Sequence, residues 1–81
     1  MRKRAEPNRR APTAIDAHVG ARIRVLRRGR GVSQSDLGAW LGVSTSQVQK
    51  YECGTDRVSA SRLFQIARIF KVPVGSFFEG L

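Results

Sequence analysis

One cysteine, one histidine and six acidic residues are all the Cys, His, Asp and Glu that this chain of 81 residues offers to a metal ion. Cys53 has no second cysteine to pair with, which excludes an internal disulfide and fits a reducing cytoplasm. It also lacks the neighbouring base that a nucleophile requires, so it reads as a helix-end residue. His18 is accompanied by no second His and no ligand cluster, so it reads as a surface residue of a helix; no metal and no other cofactor is expected. There is no arrangement of paired carboxylates, no Cys/His couple and no phosphate-cradling glycine loop, and Gly29 and Gly31 in RGRG match no nucleotide fingerprint, so no enzyme is expected. No apolar run is long enough for a signal peptide or a membrane span, and no basic helix carries large apolar residues opposite its charges, so no membrane partner is expected. Strand-like alternation and internal repeats are also missing, which leaves an all-α chain.

Positive charge is what the chain does have. Fifteen Lys and Arg against six Asp and Glu leave a formal charge of +9, which calls for an anionic partner, nucleic acid first. No exposed aromatic able to stack on bases is expected among residues 33–54, which argues against RNA. The length suits one domain with one modest core, since a chain of this size buries roughly 60% of its unfolded surface.

Residues 1–13, MRKRAEPNRRAPT, contain two of the three prolines and the cations Arg2, Lys3, Arg4, Arg9 and Arg10. With hardly an apolar side chain, this segment is expected to be a flexible basic arm, either following phosphates or a minor groove or merely solubilising the chain. Residues 14–81 form the domain. Thr13 with Asp16 makes a capping box for a first helix reaching about Arg28, and Ile15, Val19, Ile23 and Leu26 mark its core face. Ser59 caps a fourth helix with Leu63, Ile66, Ala67 and Phe70 inward, and Val72-Pro73 ends it. A short fifth helix, about Val74 to Phe78, closes at Gly80. One of Phe77 and Phe78 is expected to seal the core and the other to meet a partner chain.

Between these helices lies SQSDLGAWLGVSTSQVQKYECG, residues 33–54. Ser33 with Asp36 and Ser44 with Gln47 are two further capping signatures. Leu37, Trp40 and Leu41 form an apolar face, and Gly42 turns the chain sharply between two short helices. The second of these buries Val48 and Tyr51 and carries Thr45, Ser46, Gln47, Gln49 and Lys50 elsewhere. Short hydroxyls and amides are an unusual choice for a merely solvated helix, which would carry more Glu and Lys pairs; they suit a surface offering donors and acceptors.

VGARIRVLRRGRGVSQSDLGAWLGVS, VQKYECG, RVSASRLFQIARIFKV and FFEGL, in this order and spacing, resemble the phage repressor/Cro-type helix-turn-helix domain of the xenobiotic-response-element family, over about Ile15 to Leu81. The family usually has alanine where Gly38 stands; glycine keeps that position small, at a cost of about 1 kcal/mol in helix propensity. The resemblance implies a five-helix repressor-like fold and a sequence-specific regulator of transcription, acting as a repressor on double-stranded DNA in a bacterial or phage cytoplasm. Helix 44–53 would enter the major groove. By position in the family motif, Thr45, Ser46 and Lys50, with Gln49 beside them, would read bases. Gln34, Ser44 and Gln47 would hold phosphates at helix N-termini, with Arg57 adding charge in the loop that follows.

An arginine matching Arg27 pairs in this family with a glutamate matching Glu52; the alternative is that Arg27 seeks a phosphate. A homodimer, formed through Phe77 and Phe78 or bridged by another protein because no oligomerisation domain is expected past Leu81, would span two half-sites. The alternative function is an antitoxin or co-regulator that keeps the fold as a protein-interaction module.

Overall fold

The computed structural model describes residues 13–81, as four α-helices followed by a 3-10 segment: α1 Ala14–Gly29, α2 Gln34–Leu41, α3 Thr45–Cys53, α4 Ala60–Phe70 and Val74–Phe78. The arm cations Arg2, Lys3, Arg4, Arg9 and Arg10 lie outside the described residues.

Each α-helix begins where a hydroxyl can take an orphan amide. Thr13, Ser33, Ser44 and Ser59 accept from the backbone N–H groups of Asp16, Asp36, Gln47 and Arg62. The α1 box is reciprocal, because Asp16 accepts in turn from the Thr13 backbone N–H at 2.7 Å. That of α3 is not: the Gln47 amide leaves Ser44 and donates to Asp56 across the following loop at 2.9 Å. Gly42 and Gly54 end α2 and α3 at φ 75°, a left-handed conformation open to glycine without a Cβ clash.

The core joins Val19 and Ile23 of α1, Leu37 and Leu41 of α2, Val48 of α3, four residues of α4 and Phe77. Two members of the expected apolar faces are exposed instead. Trp40 is 55% exposed, because the inward side of α2 is Leu37, Gly38 and Leu41, and that centring turns position 40 to solvent. Ile15 is 53% exposed. In the first turn of α1 the inward position belongs to Asp16, whose side chain is held by Thr13 and by Arg57. Tyr51 is half-buried at the edge of the core.

The fifth helix is a single 3-10 stretch, capped at its start by the extended Pro73 without a side-chain hydrogen bond. Five residues are too few for a cooperative α-helix, and the tighter i to i+3 pattern, as in the Ser76 N–H donating to Pro73 O at 3.0 Å, suits so short a run. Phe77 is 1% exposed and belongs to the core, which corrects its assignment to a dimer interface; Phe78 stays 40% exposed.

Desolvation raises the Asp16 pKa, but hydrogen bonds from the Thr13 N–H, Arg57 and the Thr13 hydroxyl outweigh it, so the carboxyl titrates below its ordinary value. A carboxyl with a depressed folded-state pKa stabilises the fold above its unfolded value, near 3.9, and that contribution disappears as pH falls through the folded value. Asp16→Asn is therefore expected to lower Tm at pH 7 and to match the parent chain in strong acid, as read by circular dichroism melts against pH. An equal gap at every pH would rule out the linkage.

Candidate nucleic-acid interface

The candidate surface is built on α3, and two backbone approaches place that helix. A Cβ on Gly20 of α1 would lie 2.1 Å from Tyr51 O and 2.9 Å from Glu52 O, so α3 runs directly over the α1 backbone at this glycine. A Cβ on Gly38 of α2 would lie 2.8 Å from Val43 O in the turn leading into α3. Glycine at both positions lets the helices close to backbone contact, and Gly38 serves here for more than being small.

Behind α3 lies a buried polar cluster. Arg27 Nε and Nη2 donate to the two carboxylate oxygens of Glu52 at 2.6 and 3.0 Å, and Arg27 Nη1 donates to Val32 O at 2.7 Å. Arg27 and Glu52 do meet, from α1 to the last turn of α3. Both are buried, so the pair is a bidentate lock inside the fold and Arg27 is no surface phosphate-seeker. Gln34 donates to Glu52 Oε1 at 3.0 Å, so the start of α2 is tied to the same carboxylate.

Val48 and Glu52 turn inward from α3, leaving Thr45, Ser46, Gln49 and Lys50 exposed. Ser46, Gln49 and Lys50 line one shallow depression with Cys53 and Thr55. The Lys50 side chain has no hydrogen-bond or ion-pair partner among the described residues. Ser44 is exposed at the α3 N-terminus, its hydroxyl accepting from the Gln47 N–H at 3.0 Å. Gln34 and Gln47 are half-buried and held by Glu52 and Asp56, while Arg57 reaches back to Asp16 at 3.1 Å. The four side chains expected to read bases thus share one open face, whereas Gln34, Gln47 and Arg57 have intramolecular partners.

Sequence reasoning missed three positioning residues. Gly20 carried a signal, a glycine in mid-helix within one turn of Ile23, which marks close backbone approach when it is not a cap. Asp56 and Arg62 carried none. Arg62 Nη1 donates to Leu41 O at 2.8 Å, so a cation from α4 caps the C-terminus of α2 just before the turn into α3.

A helix about 10–12 Å across, polar on its outer side and backed by rigid packing, has the dimensions of the B-DNA major groove. Comparison with known proteins identifies the family. A chain from Sinorhizobium medicae called an uncharacterized HTH-type transcriptional regulator is 54% identical over 72 residues, covering 89% of this chain and 52% of its own length. An uncharacterized transcriptional regulator in the ATPase CF(0) region of Rhodospirillum rubrum is 48% identical over 67 residues, covering 83% and 62%. The chain thus spans about half the length of the curated relatives it matches. Among solved structures, the restriction-modification controller protein C.AhdI of Aeromonas hydrophila superposes with TM-score 0.75 at 29% identity, covering 82% of this chain and all of its own. Bacillus thuringiensis PlcR, in complex with the peptide PapR7 and DNA, superposes with TM-score 0.70 at 29% identity, covering 80% of this chain and 23% of its own. With residues 18–75 matching the model of that family, the chain belongs to the helix-turn-helix domain family.

Proposed function

We propose that this chain is the sequence-specific, double-stranded DNA-binding domain of a transcriptional regulator, acting as a repressor and as a homodimer. The observation that carries the reading is the outer face of α3, where Thr45, Ser46, Gln49 and Lys50 are all exposed while the opposite side is locked by Val48 and Glu52. Lysine donates to guanine O6 and N7, and a threonine or serine reaches a base edge or packs on a thymine methyl. Free amides at the starts of α2 and α3, next to Gln34, Ser44 and Gln47, hold phosphates with the positive ends of the helix dipoles. Arg57 adds positive potential in the loop after α3. One recognition helix reads only a few bases, so two copies on half-sites about 34 Å apart supply the rest, with Phe78 at the contact between them.

Names and complexes of the relatives support this reading. Selection of bound fragments from random duplexes is expected to return a two-fold symmetric consensus. Lys50→Ala is then expected to cost about 1–3 kcal/mol and to relax preference at one position of each half-site, whereas Arg57→Ala weakens all sequences alike. An unchanged preference in Lys50→Ala would remove lysine from the reading set. The exposed Trp40 and Phe64 favour a second reading, a protein-docking module on the same fold, to which a selection without enrichment would give way.

A further inference from the structure

We infer that the flank of α1 bearing Arg24 and Arg28 is a second phosphate-binding strip, which holds the DNA backbone outside the stretch read by α3; this rests on the DNA-binding reading above. The first observation is where the other arginines of the described residues are spent. Arg22 pairs with Glu79, Arg27 with Glu52 and Arg57 with Asp16. Arg30 donates to Phe70 O, Arg62 to Leu41 O, and Arg68 stacks over the Phe64 ring. The side chains of Arg24 and Arg28, both exposed, have no hydrogen-bond, ion-pair or ring partner among the described residues.

Their position is the second observation. Ala17, Gly20, Arg24 and Arg28 follow one another at spacings of three, four and four, so they share one side of α1. It is the side covered by α3: Gly54 packs on Ala17 and the Tyr51 and Glu52 carbonyls on Gly20. Where α3 leaves that side, Arg24 and Arg28 continue it toward the start of α2, which Arg27 ties to the end of α1 through its bond to Val32 O. Two unneutralised guanidiniums one turn apart repel each other in the free protein, a cost that a polyanion along the strip removes. Guanidinium forks match phosphate oxygens, and the α2 N-terminus, tied to the end of α1 through Arg27, adds dipole potential of the same sign. A regularly spaced polyphosphate fits two cations one helical turn apart. The occupant assigned is therefore the backbone flanking the bases read, on the side nearest the start of α2.

The test uses the full chain, with Arg24→Gln/Arg28→Gln against Arg68→Gln as a control for simple loss of charge. Two labelled duplexes serve as probes, one trimmed to the selected consensus and one extended by about one helical turn, 10 bp, at each end. On the long duplex the double variant is expected to lower the slope of log affinity against log salt by about 1.8 and to weaken binding at least about tenfold near 0.15 M salt, with base preference intact. On the trimmed duplex it should approach the parent chain, and Arg68→Gln should keep the parental slope on both. An unchanged slope on the long duplex, with the parent chain binding its consensus, overturns the strip alone. A loss of the same size on both duplexes overturns its placement on flanking DNA. A parent chain that prefers no duplex removes the DNA-binding reading and the strip with it. Both arginines are exposed, so melts of the variants matching the parent chain keep unfolding out of the comparison.

Discussion

Gly20→Ala is expected to destabilise the domain by about 3 kcal/mol, the upper part of the range for overpacking a well-packed interior. For a domain of this length that is a fall in Tm of about 12–24 °C. Helix propensity alone predicts the opposite sign, since alanine in a helix interior is favoured over glycine by about 1 kcal/mol. The geometry decides between them. The new methyl would lie 2.1 Å from Tyr51 O, and a backbone carbonyl inside α3 cannot swing away as the end of a flexible side chain would. Either α3 lifts off α1, which strains the Arg27 to Glu52 lock, or α1 bends. Gly29 is the internal control: a Cβ there meets nothing within 4 Å and its φ is not in the left-handed region, so Gly29→Ala is expected to be neutral or slightly stabilising. Equal Tm values for Gly20→Ala and the parent chain would mean that α3 stands further from α1 than described. Because α3 is the element displaced, DNA affinity should also fall by more than the unfolded fraction explains.

Arg27→Met and Glu52→Leu are each expected to cost about 3–5 kcal/mol, the range for breaking a buried ion pair by removing one partner. An exposed pair would contribute only about 0–1 kcal/mol, so the size of the loss reports burial directly. Arg27→Met leaves the Glu52 carboxylate with Gln34 as its remaining side-chain donor, and Glu52→Leu leaves a guanidinium with Val32 O alone. The double variant is expected to recover much of the loss, because apolar side chains of similar bulk bring no unpaired charge with them. Chemical denaturation of the four chains gives the coupling energy. Single losses below about 1 kcal/mol, or strictly additive ones, would contradict a buried lock. Since Gln34 shares the carboxylate, Glu52→Leu also frees the first residue of α2, and its DNA binding should weaken beyond what refolding at low temperature restores.

Much of this domain is legible in the order of its residues because the signals are local. Thr13, Ser33, Ser44 and Ser59 announce their helices through hydroxyls that reach an amide three residues on, and Gly42 and Gly54 end two of them through a conformation that other residues resist. Periodicity does less well where a stripe is short. Over the eight residues of α2, apolar spacing cannot tell whether Trp40 or Gly38 faces inward, and the docking surface chooses the glycine. In the same way Asp16 displaced Ile15 from the inner side of α1, since its carboxylate found Arg57 from the loop after α3.

Composition and spacing alone determined an all-helical, cationic chain with two short helices joined at Gly42, and the second of these as the one carrying hydroxyl, amide and lysine side chains. Those properties depend on contacts within a few residues or on sums over the whole chain. Tertiary packing alone decided that Phe77 is core while Phe78 is surface, that Gln34 and Gln47 are held by Glu52 and Asp56, and that Arg24 and Arg28 keep their charges free. Each of these turns on which other segment arrives opposite a side chain, and composition and local spacing hold no information on partners outside a residue's own helix.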